Sequence, residues 1–111
     1  MTVENKMIDL IKAGKTGKAS PNTLVAKDSN GIPMVVLFGN PIAWVKPEGL
    51  MVSYGNHAPT ITTKSRLHAL LLEFCGWGLF SKQGKWFLSM FTKKGYIGSV
   101  TFHDFMTLSY K

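Results

Sequence analysis

The chain has 111 residues, 45% apolar and 17% charged, and its 13 Lys and Arg against six Asp and Glu leave a formal charge of +7. That length suits one domain with a modest core, and so apolar a composition argues against a disordered chain. No apolar run reaches the length of a membrane span, residues 1–10 lack the apolar centre of a signal peptide, and a single cysteine, Cys75, excludes an internal disulfide framework.

The expected setting is therefore cytoplasmic, with no membrane partner. A charge of +7 draws nucleic acid, acidic protein surfaces or anionic lipid. Twelve of the 13 cations are Lys and only Arg66 is Arg. Bidentate reading of bases leans on Arg, so this composition favours attraction without sequence preference.

In chain order, residues 3–11 read as a short helix, with Met7, Ile8, Leu10 and Ile11 apolar, Glu4 in the first turn and Gly14 as the stop. The run GKTGKASPNT that follows fails as a phosphate-binding loop. Lys12 and Ala19 stand where that motif needs Gly and Ser or Thr. Residues 14–30 are expected to form a polar, mobile basic connector. The expected division is thus an N-terminal helix and connector over 1–30 and a single α+β domain over 31–111.

Residues 34–38, 42–45 and 50–54 are rich in β-branched and aromatic side chains. Gly39-Asn40-Pro41 and Pro47-Glu48-Gly49 separate them as turns, which predicts a three-stranded meander.

The strongest helix signal follows. Leu67, Leu70, Leu71 and Phe74 fall at i, i+3, i+4 and i+7, Thr62 or Thr63 can cap the start, and Gly76 can end it in a left-handed conformation. Lys64 and Arg66 then sit in the first turn, where the helix dipole disfavours cations by about a few tenths of a kcal/mol each. Unpaired N–H groups, the hydroxyls of Thr60, Thr62 and Thr63 and these two cations make a candidate anion-binding corner. The plainer alternative has both cations in water and the threonines only capping.

Beyond it, residues 79–81 and 85–91 flank Lys82-Gln83-Gly84 as a hairpin, Lys93-Lys94-Gly95 turns the chain again, residues 96–102 return as a strand, and the tail can close with a last short one. Trp77, Phe80, Trp86 and Phe87 interleave with Lys82 and Lys85, a mix that can stack bases beside a charged track. A small domain needs most such aromatics inside, and one left exposed would suffice for binding. The architecture expected is α+β: an antiparallel sheet, made of the meander and then the hairpin strands, packed against one central helix, with a short N-terminal helix. A strongly curled sheet or half-barrel is the variant of it.

These residues resemble a family of small proteins of tailed bacteriophages and prophages. The shared pattern is Thr-x-Thr-Thr-Lys-x-Arg followed by an apolar residue, matched by Thr60, Thr62, Thr63, Lys64, Arg66 and Leu67. Gly84, Trp86 and Phe87 match a Gly-x-Trp-Phe strand, and Phe102, Asp104, Met106 and Leu108 an apolar ending. Ala58 and His68 depart from the pattern, standing where Trp and Asn are expected. The resemblance covers about the last two-thirds of the chain. It implies a phage origin, a bacterial host cytoplasm as the setting, and roles such as host takeover, DNA handling or inhibition of defence.

No residue set makes an enzyme. His57, His68, His103 and Cys75 lack metal-site spacing, the six acids are scattered, and no metal or cofactor is expected. Two functions remain. The first is a non-enzymatic nucleic-acid-binding module using Thr60, Thr62, Thr63, Lys64, Arg66, Lys82, Lys85 and Trp86. The second is an anti-defence or host-takeover inhibitor docking on a bacterial protein.

Overall fold

The computed structural model describes residues 2–55, 60–92 and 94–111. Its first element is α1, Val3–Lys12, capped by Thr2, whose hydroxyl accepts from the Asn5 N–H at 3.1 Å. Glu4 in the first turn and Lys12 in the last complement the helix dipole. The helix ends at Ala13, before Gly14 at φ +68°.

The connector expected over residues 14–30 is instead a hairpin. Strands β1 (Gly17–Ser20) and β2 (Thr23–Lys27) pair antiparallel about Pro21-Asn22. The Asn22 Oδ1 accepts from the Ser20 and Thr23 hydroxyls at 2.6 and 2.8 Å and tightens the turn. Composition misled here, because lysines and glycines dominate the run. The period-2 alternation of Thr23 and Val25, buried, with Leu24, exposed, is what forms the strand.

Four further strands complete the larger sheet: β3 (Pro33–Leu37), β4 (Asn40–Lys46), β5 (Gly49–Val52) and, from the tail, β9 (Thr107–Leu108). Their order is β1-β2-β3-β4-β5-β9 and every pairing is antiparallel. The meander and the closing strand are present as expected, but Asn40 and Pro41 join β4, which leaves Phe38-Gly39 as the turn, and the third strand ends at Val52 rather than residue 54. Gly49 explains how β9 fits, since a Cβ there would lie 2.4 Å from the Leu108 carbonyl oxygen.

The central helix α2, Ile61–Cys75, begins earlier than expected. Thr60 is its N-cap, accepting from the Thr63 N–H at 3.2 Å, and Gly76 ends it at φ +75°. After it come β6 (Trp77–Lys82), β7 (Lys85–Thr92) and β8 (Gly95–Thr101), which form a separate three-stranded antiparallel sheet. The α+β class holds, with the strands divided between two sheets rather than one. The turn expected at Lys93-Lys94-Gly95 includes Lys93, which lies outside the described residues.

Helix α1 packs on β1 and β2, while α2 packs on β4, β5 and β6 and touches α1. Met7 and Ile11 from α1, Val25, Val35, Leu50 and Val52 from the large sheet, and Leu67, Leu70 and Leu71 from α2 share one buried cluster. Phe74, the fourth residue of the predicted stripe, packs at its margin.

Candidate functional site

At the start of α2 the residues expected to hold an anion do different things. The Thr60 and Thr63 hydroxyls lie 2.9 Å apart, and Thr63 is buried. Thr62 is half-buried and Ile61 is 88% exposed. Arg66 turns inward: its guanidinium pairs with Glu4 of α1, and its Nε donates to the Thr23 hydroxyl of β2 at 3.1 Å. Glu4 also accepts from the Ser65 hydroxyl at 3.1 Å. Burial alone would push the Glu4 carboxyl up, but its own backbone N–H, Ser65 and Arg66 together hold it below the ordinary range. Because α2 starts at Ile61, Arg66 lies in its second turn rather than the first, and an acid from another helix pairs with it.

Lys64 points the other way. Its Nζ donates to the Ser81 hydroxyl of β6 at 3.0 Å. A groove of about 250 Å³ opens between the first turn of α2 and the β6–β7 hairpin, lined by Thr60, Ile61, Lys64, Ser81, Gly84 and Trp86.

The hairpin itself is turned by Gln83 and Gly84, both at positive φ (+54° and +76°), the left-handed pair that suits a two-residue hairpin. Its register sets Lys82 opposite Lys85, Ser81 opposite Trp86, Phe80 opposite Phe87 and Leu79 opposite Leu88. Alternation puts Leu79, Leu88 and Trp86 on the buried side. Phe80 and Phe87 share the other side with Lys82 and Lys85. The two Phe rings stack with centroids 5.5 Å apart and planes 24° apart, and Phe80 is 36% exposed. Residues 74–103 contain Lys82, Lys85, Lys93 and Lys94 and no acid at all.

Residues 1–109 match the Kyanoviridae Gp96 protein family, a family of tailed phages. The chain belongs to that family. Comparison with curated proteins and with solved structures gives no match. The family match takes in residues 1–30, which the resemblance drawn from the later motifs did not reach.

In this Gp96-family fold the four aromatics flagged around the hairpin, Trp77, Phe80, Trp86 and Phe87, sort as a small core requires, with one exception. Trp86 is buried, its ring centroid 5.0 Å from that of Tyr54 and 5.4 Å from that of Phe102, and it lines the floor of the groove only as a buried residue. Trp77 is half-buried against the core. The exposed aromatic is Phe80, a residue the sequence flagged within the hairpin without choosing it as a site. Strand alternation around the Gln83-Gly84 turn could have singled it out.

The other reactive groups are internal or solitary. The His68 Nδ1 accepts from the Leu79 N–H at 2.9 Å, tying α2 to β6. Cys75 is buried beside the Leu108 carbonyl, and burial pushes its thiol up. Among the described residues no three His, Cys, Asp or Glu side chains come together as a metal site, and no helix is long and apolar enough to cross a membrane. His57 and Ala58 lie outside the described residues.

Proposed function

We propose that this phage protein is a non-enzymatic accessory protein that binds single-stranded nucleic acid through the outer side of the β6–β7 hairpin. The supporting observation is the stacked, outward Phe80–Phe87 pair set beside Lys82 and Lys85 on a segment that has no acid. Bases stack on exposed aromatic faces whatever their identity, while lysines follow the phosphates. Lys64 lies on the other side of the hairpin, bonded to Ser81, and is not part of that outer face. Arg66 has no part in this reading, because Glu4 and Thr23 engage it.

The test is fluorescence anisotropy with labelled oligo-dT and oligo-U at two salt concentrations. Binding is expected to weaken with salt. Lys82→Gln with Lys85→Gln should flatten the log–log salt slope by about 0.7 per lost phosphate contact on a single strand. Phe80→Ala should weaken binding by about 1–3 kcal/mol while leaving that slope in place. Absence of binding at low salt would sink the reading. It would turn attention to the second function, an inhibitor of a host or defence protein, for which Tyr96 and Ile97 of β8, both more than half exposed, are contact candidates.

A further inference from the structure

The outer side of the β6–β7 hairpin does not stop at its two Phe rings. Register carries it onto β8, where Thr101 stands beside Phe87, and Ser99 beside Ser89 and Gly78. Alternation alone would send Tyr96 to the inner side, with Gly98 and with Val100, which pairs with the buried Leu88. Tyr96 does not go there, because β8 has one residue more than β7 at this point. Gly98 pairs with Met90 and Tyr96 with Phe91, which leaves Ile97 as the extra residue of a β-bulge. Position 91 lies four places beyond Phe87, an even step, so pairing with it sets Tyr96 on the side of the Phe pair. Bulges re-aim side chains in this way at functional surfaces. Tyr96 is 59% exposed, against 36% for Phe80.

The spacing has a consequence for length. Four residues of strand span about 13–14 Å. Stacked bases advance about 3.4 Å per nucleotide, so the two aromatic ends lie about four nucleotide steps apart. The row between them is low, since Gly78 and Ser89 are buried and Ser99 is small. Cations stand at both ends, with Lys82 and Lys85 beyond the Phe pair and the exposed Lys94 just before Tyr96.

We propose that Tyr96 is a second base-stacking platform, and that the small sheet takes a run of about five nucleotides between it and the Phe pair. This rests on the hairpin reading above and gives that site a length and a far end. Each aromatic holds a base by its face, the bases between pass over the small row, and the lysines at either end meet phosphates. Backbone geometry thus sets the footprint: without the bulge at Ile97 the outer side would end at Thr101 and Ser99.

Competition reads the length. Unlabelled oligo-dT of about two to about eight nucleotides is used to displace a longer labelled oligo-dT from the full chain, with anisotropy as the signal. Affinity should step up as the competitor passes about five nucleotides and reaches both platforms. Tyr96→Ala should weaken the longest competitor about tenfold and leave the shortest unchanged, which removes the step. Tyr96→Phe keeps a ring and should bind like the wild type. Val100→Thr, on the inner side of the same strand, should change nothing. Circular dichroism checks that each variant is folded. A wild type that binds no oligonucleotide removes the hairpin reading and this one together. A wild type that binds, with the same length profile in Tyr96→Ala, overturns the second platform alone. So do a loss equal at every length and a Tyr96→Phe variant as weak as Tyr96→Ala.

Discussion

The seam between α1 and α2 and the hairpin of the small sheet both carry cations, and they use them differently. At the seam Arg66 is paired with Glu4 and Lys12 with Glu73. The hairpin sets Lys82 against Lys85 in a segment without any acid. Whether a cation is available to a ligand thus depends on which acids the fold brings to it. Glu4 reaches Arg66 from 62 residues away.

The comparison can be broken most drastically by removing one side of the seam. Deleting residues 1–30 takes out Met7, Ile11, Ala19 and Val25 together with the acid that holds Arg66. The truncated chain is expected to lose cooperative unfolding in urea. A sharp transition near that of the full chain would mean the remaining strands and α2 close a core alone.

Leu71→Ala, at the buried centre of α2, tests the element both regions share. A loss of about 2–5 kcal/mol is expected, from the cavity it opens. The measurement is urea titration, and a loss of a few tenths would mean that α2 packs by another face.

Smaller effects sharpen the contrast between the cations. Arg66→Gln should cost about 1–3 kcal/mol, since it removes charged hydrogen bonds at a mostly buried position. The pair should also appear in the acid limb of stability. Although burial opposes it, the Glu4 carboxyl is held below its ordinary 4.5, so its contribution is full above that pH and is lost as pH falls through the lower folded value. Glu4→Gln should flatten that limb, and an unchanged limb would show the pair contributes nothing. Lys82→Gln with Lys85→Gln should alter stability by no more than about 0.5 kcal/mol. A larger loss would make those lysines structural and remove them from the proposed binding track.

Much of this fold was legible. The apolar stripe of α2, the Gly76 stop, the meander and the Lys82-Gln83-Gly84 turn are local patterns, and local patterns are what hydrophobic period and turn chemistry encode. The β1–β2 hairpin was missed because Lys15, Lys18 and Lys27 and the Gly and Pro residues outweighed a four-residue alternation. The α2 start was misplaced by two or three residues because Thr60, Thr62 and Thr63 are chemically equivalent caps, and only the backbone entering the helix chooses among them.

The candidate site was less legible. Lys82 and Lys85 could be found because a tight turn puts them side by side wherever the hairpin lies. Arg66 was misjudged on two counts: the earlier helix start moves it to the second turn, and its acid comes from another helix. Phe80 and Trp86 are both aromatic and both in the hairpin, yet one is exposed and the other buried.

The sequence by itself determined the charge, the class and most of the elements, because each rests on residues close together in the chain. Tertiary structure alone decided that Arg66 meets Glu4, that Phe80 rather than Trp86 faces water, and that the helices cover only one side of the large sheet. Those outcomes depend on which surfaces meet across dozens of residues, and period and propensity carry no term for that.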